Sequence, residues 1–91
     1  MTNNINKKSV GQRINSIRLS KGMNLEEFGK LFSAGKSNVS KWEKGQTLPN
    51  ADRLKSIAKI GDTSVEYILH GKMDEYIDTL IDKIQMDLLT D

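Results

Sequence analysis

Apolar residues recur along the chain at three- and four-residue steps, and the strict alternation that marks a half-buried strand is absent. Val10, Ile14 and Ile17 stand at i, i+4 and i+7, which puts them on one face of a helix with Gln12, Arg13, Ser16 and Lys21 around it and Gly22 as a stop. Leu25, Phe28 and Phe32 share the face of a second helix. Asn24 begins it, with a side chain suited to accept from an early helix N–H and Glu27 placed to reach back, a capping box. Met23 is positioned to staple against an apolar residue of the first turn. Gly29 lies on the apolar face, where it costs about 1 kcal/mol against Ala; close approach by a second helix is the expected return.

Ser33-Ala34-Gly35 predicts a three-residue break, followed by KSNVSKWEKG. In this third helix Val39 and Trp42, three apart, point inward. Ser37, Ser40, Lys41 and Lys44 fall at i, i+3, i+4 and i+7 on the opposite face, with Glu43 to the side and Gly45 as a stop. Pro49, the single proline, marks the turn that follows. Asn50 caps a fourth helix with Ala51, Leu54, Ile57 and Ala58 as its buried stripe, Asp52 in its first turn and Gly61 near its end. Ser64 caps a short fifth helix carrying Val65, Ile68 and Leu69 and closed by Gly71. Met73, Tyr76, Ile77, Leu80, Ile81, Ile84 and Leu88 then describe a strong amphipathic helix. An all-α chain is expected.

Composition bounds the chemistry. Ninety-one residues make one small domain, and 29% charged residues are compatible with folding. There is no Cys and only one His, so a disulfide scaffold, a Cys-ligated zinc, a thiol nucleophile and a multi-His metal site are excluded. His70, in the last turn of the fifth helix, suits the helix C-terminus and has no partner triad in sight. No nucleophile–base pair or phosphate-binding Gly-rich loop is present, so an enzyme is not expected, nor a cofactor. The opening MTNNINKKSV lacks a signal-peptide apolar stretch, and no run approaches the roughly 18 apolar residues of a membrane span. A cytoplasmic protein without a membrane partner is expected.

The net charge of +2 is unevenly distributed. Residues 1–72 hold 13 Lys/Arg and 6 Asp/Glu, for +7, while residues 73–91 hold one Lys and 6 Asp/Glu, for −5. A basic body with an acidic tail suits a polyanion-binding body, although uneven solvation of a polar surface gives the same numbers. Two short helices joined by a tight turn, the second with a small basic face, fit a helix-turn-helix. The DNA major groove admits one helix, and its base edges offer acceptors to Lys, Ser and Asn. Trp42 reads as the core anchor of that helix rather than a base-stacking platform.

Taken together, Arg18, Gly22-Met23-Asn24, Glu26-Glu27-Phe28-Gly29, the run from Ser37 to Gly45, Leu48-Pro49-Asn50, Leu54, Ile57-Ala58 and Ile68-Leu69-His70-Gly71 resemble the phage repressor/Cro-type helix-turn-helix family. The resemblance covers about two-thirds of the chain, from Val10 to Gly71. It implies a five-helix repressor-like DNA-binding domain over residues 9–71, with the helix-turn-helix as helices 2 and 3. A flexible basic arm over 1–8 precedes it and an acidic amphipathic helix over 72–91 follows. It implies a recognition helix near 36–44, with Lys36, Ser37 and Lys41 at base edges and Asn38 and Ser40 at bases or backbone. Lys44, Gln46, Arg18 and Gln12 are implied backbone contacts, and Leu25 one through its N–H alone, since the usual polar side chain is missing there. Val39, Trp42 and Glu43 are the implied anchors. Where the family usually has Gly in the turn this chain has Ser33, which leaves two alternatives: a slightly different turn angle, or an unusual backbone conformation at Ser33.

The resemblance also implies an ion pair between Arg18 and Glu43 that braces the recognition helix and presents Arg18 to phosphate, against the alternative of two independent surface charges. If exposed, such a pair contributes only about 0–1 kcal/mol. Lys7 and Lys8 either lie along DNA or belong to a frayed tail. Family members usually bind inverted repeats as twofold dimers with recognition helices about 34 Å apart. Tyr76, Ile77, Leu80, Ile81 and Ile84 are candidates for that interface, for packing on the core, or for a link to a further domain. The function implied is a double-stranded DNA-binding regulator, a phage or prophage-type repressor. An antitoxin or restriction-system controller of the same fold is the alternative, as is a protein-interaction module using the acidic helix. An antirepressor or other protein is a further partner expected at that helix.

Overall fold

A computed structural model describes residues 5–71, and among these every regular element is a helix: α1 (Lys7–Ser20), α2 (Leu25–Lys30), α3 (Lys36–Glu43), α4 (Ala51–Ile60) and α5 (Val65–His70). The five-helix, all-α reading holds. The acidic amphipathic segment, including Tyr76, Ile77, Leu80, Ile81 and Ile84, lies outside the described residues.

Caps set most boundaries. The Asn24–Glu27 capping box forms with both bonds present, at 2.8 and 2.9 Å. Asn50 accepts from the N–H of Arg53 at 2.9 Å, and Ser64 from that of Tyr67 at 3.0 Å. At the chain start the boundary moves: Asn6 accepts from the N–H of Ser9 at 3.0 Å and nucleates α1 early. Lys7 and Lys8, expected in a flexible arm, therefore occupy the first turn of α1.

One core gathers Val10, Ile14 and Ile17 of α1, Phe28 and Phe32, Ala34, Val39 and Trp42 of α3, Leu54, Ile57 and Ala58 of α4, and Ile68 of α5. Ala51, expected in the α4 stripe, is exposed: it is the first residue of the helix, and the core contacts of α4 begin one turn later, at Leu54. Phe28 and Phe32 meet edge to face, centroids 4.9 Å apart. α3 packs on both α1 and α2, and α5 on both α1 and α4.

The link between α2 and α3 spans residues 31–35 rather than the three predicted, because α2 ends at Lys30; Phe32 is buried but lies past the helix end. Ser33 resolves the alternatives left by its sequence: it takes the left-handed conformation, φ 55°, that the missing glycine would have supplied. Gly29 is indeed a point of close approach. A Cβ there would collide with the Ala34 carbonyl oxygen and stand 3.2 Å from Val39 Cγ2, so the turn itself, together with α3, needs the space.

Candidate nucleic-acid interface

The third helix is anchored from beneath by Val39, fully buried, and Trp42, 3% exposed. At 100° per residue these two side chains fall opposite Ser37, Ser40, Lys41 and Lys44. Burying one pair therefore turns the other set outward. Lys36, Ser37, Lys41 and Lys44 are exposed and Ser40 is half-buried. Leu25, the first residue of α2, faces them, and with Gln46 beyond the end of α3 they line one open groove. The groove holds three ammonium groups and two hydroxyls, and no carboxylate lines it.

A second concavity adjoins it, lined by Arg18, Asn24, Leu25, Glu26 and Lys36. Seven of the sequence-predicted contact residues thus share one groove, and Arg18 opens beside it. Asn38 and Gln12 are exposed but line neither concavity; Asn38 lies on the flank of α3.

The predicted Arg18–Glu43 pair is present. Arg18 Nε donates to Glu43 Oε2 at 2.7 Å and Nη2 to Oε1 at 3.1 Å. Their side chains are only 13% and 11% exposed, so the exposed-pair energetics expected from sequence do not apply. Arg18 Nη1 also donates to the Met23 carbonyl at 2.9 Å, and Asn15 Nδ2 to Glu43 Oε1 at 2.9 Å. The hydrogen bond to Glu43 raises the Arg18 guanidinium above its ordinary pKa; burial opposes this and the coulombic attraction of Glu43 adds to it. This cluster ties the C-terminal end of α3 to α1 and to the start of α2. It also turns the only acid of α3 away from the groove.

Two supports escaped the sequence reading. Arg53, on α4, donates from Nε to the Phe32 carbonyl at 3.1 Å and from Nη2 to that of Ser33 at 2.9 Å. Its guanidinium stands 5.9 Å from the centroid of the Trp42 ring. The available signal was a cation in the first turn of a helix, where the dipole favours acids. Gly11 is the other. A Cβ on it would collide with the Trp42 carbonyl and lie 2.6 Å from the Glu43 carbonyl oxygen, so α1 and α3 meet backbone to backbone. A glycine in mid-helix was the signal, as at Gly29.

A short helix inserted into a turn after another, braced behind and donor-lined in front, defines a helix-turn-helix unit. The profile of the helix-turn-helix family matches residues 14–68, and the chain belongs to that family. It is similar to repressor protein C2 of Salmonella phage P22, 27% identical over 71 residues that make up 78% of this chain and 33% of that protein. It is also similar to the HTH-type transcriptional activator BcrR of Enterococcus faecalis, 26% identical over 61 residues, 67% of this chain and 30% of that one. The chain thus spans about a third of the length of the curated relatives it matches. Among solved structures, the P22 c2 repressor in complex with a synthetic operator superposes with a TM-score of 0.64 at 29% identity, covering 68% of this chain and 94% of that one. The restriction-modification controller protein C.AhdI of Aeromonas hydrophila shares the fold, with a TM-score of 0.60 at 24% identity, over 69% of this chain and 91% of that one. No helix among the described residues is long and apolar enough to cross a membrane.

Proposed function

We propose that this chain is a sequence-specific double-stranded DNA-binding transcriptional regulator of phage or prophage repressor type. The groove between Leu25 and the outer face of α3 carries the reading: Lys36, Ser37, Ser40, Lys41 and Lys44 present donors there without a carboxylate among them. A polyanion with acceptors along a groove of helix width is the partner such a face suits. The likeness to a repressor solved on a synthetic operator supports it.

In this reading α3 enters the major groove. Lys36, Ser37 and Lys41 meet base edges, and Asn38 and Ser40 meet bases or backbone. Lys44, Gln46, Gln12, the N–H of Leu25 and the outer edge of Arg18 hold phosphates, while Val39, Trp42 and Glu43 hold the helix. Two copies bind an inverted repeat, joined through Tyr76, Ile77, Leu80, Ile81 and Ile84. An antirepressor or other protein is the further partner proposed at that segment.

Titration of the full chain with duplex DNA, followed by backbone amide resonances, tests the assignment. Shifts concentrated over 36–44 and the N–H of Leu25 are expected, weakening steeply with salt. Unmoved resonances on α3 would overturn it.

A further inference from the structure

The α3 groove is chemically one-sided. Its cations, Lys36, Lys41 and Lys44, are ammonium groups, each with three donors and no acceptor, and the first two are the ones assigned to base edges above. The side chains that commonly read adenine through paired donor and acceptor are Asn and Gln. Asn38 lines no part of this groove, and Gln46, which does line it, stands past the end of α3 and is assigned to the backbone above. The side chains that accept from cytosine are Asp and Glu, and the one acid on α3, Glu43, lies on the flank of the helix, held by Arg18 and Asn15, and does not line the groove. Among the bases, guanine alone presents two adjacent major-groove acceptors, O6 and N7, with no donor or methyl beside them.

We propose that the operator half-site is read through guanine, with Lys36 and Lys41 each donating to the O6/N7 edge of one guanine. This rests on the major-groove reading above and adds the base identity to it. The two lysines stand five positions apart, a rise of about 7.5 Å along the helix, so the two guanines lie within about two base pairs of each other, at roughly 3.4 Å per step. Ser37 and Ser40, short hydroxyls that donate or accept, let the helix sit close without selecting a base strongly.

Selection of bound duplexes from a random pool, with the full chain at fixed salt, is the first arm. Two guanines per half-site, spaced as above, are the expected outcome. In the second arm each selected guanine is replaced in turn by 7-deazaguanine, which removes the N7 acceptor and keeps Watson–Crick pairing. Binding is read by fluorescence anisotropy for the wild type, Lys36→Ala and Lys41→Ala. Each replacement is expected to weaken wild-type binding at least about fivefold. It is also expected to cost nothing further in the variant lacking the lysine that meets that base. Far-ultraviolet circular dichroism confirms that both variants stay folded. Half-sites selected without guanine, or losses that simply add between 7-deazaguanine and lysine removal, overturn the guanine assignment and leave DNA binding standing. A pool from which no sequence is enriched overturns sequence-specific binding itself, and the guanine assignment with it.

Discussion

Arg53 holds its guanidinium 5.9 Å from the centre of the Trp42 ring while two of its N–H groups donate to the carbonyls of Phe32 and Ser33. One side chain of α4 therefore clamps both the turn that introduces α3 and the indole that anchors it. Those carbonyls belong to a segment outside any helix, so no ladder bond satisfies them in its place. Arg53→Gln is expected to cost about 1–3 kcal/mol, seen as a lower urea midpoint at constant slope. Arg53→Lys retains the charge but loses the planar fork, and is expected to recover only part of the loss. A midpoint unchanged in both would remove Arg53 from the support of the turn.

Arg18 and Glu43 form a nearly buried, two-bonded pair, so breaking it from one side strands a charge. Glu43→Ala is expected to cost about 3 kcal/mol, the low end for buried pairs because some water still reaches this one. Arg18→Met together with Glu43→Leu is expected to cost less than the two single changes added, since neither charge is then left alone. Thermal unfolding of the four proteins closes the cycle. Strict additivity would show that the two side chains act independently.

Gly11 inverts the ordinary helix rule. Ala is favoured over Gly by about 1 kcal/mol in a helix interior. Here the new methyl would meet backbone carbonyls of Trp42 and Glu43, which cannot step aside as a flexible side chain could. Gly11→Ala is expected to destabilise by about 1–3 kcal/mol and to weaken DNA binding by shifting α3. A rise in stability by denaturant titration would contradict the backbone contact.

Ser33 carries a left-handed conformation at φ 55°, unfavourable for a side chain with a Cβ. Ser33→Gly is expected to be neutral to about 1 kcal/mol stabilising, the relieved strain being offset in part by greater freedom of the unfolded chain. Ser33→Val is expected to be destabilising. Calorimetry that ranked the valine variant above the glycine variant would refute the strained turn.

In the proposed complex Lys44, which lines the groove from the C-cap of α3, holds a phosphate rather than a base edge. Lys44→Ala is expected to weaken specific and nonspecific duplexes alike and to flatten the slope of log affinity against log salt by about 0.9. Loss confined to the specific site would move Lys44 to a base-reading role.

Much of this molecule was legible along the chain because the physics concerned is local. Helix periodicity, the caps at Asn24, Asn50 and Ser64, and the opposition of Val39 and Trp42 to the polar face of α3 depend on residues within a few positions of one another. Tertiary packing decided most of how that face is held. Arg53 reaches across 20 and 21 positions to the turn and Glu43 across 28 to Asn15, and the Gly11 contact depends on how closely two backbones approach; the Arg18–Glu43 pair, 25 positions apart, was legible only through the family resemblance. Nor could the chain alone show that Arg18 and Glu43 are mostly buried, which turns a pair of small expected worth into a costly one to break. Burial and long-range reach are properties of the packed whole, where the dielectric around a charge and the partner of an orphan carbonyl are set by residues distant in sequence.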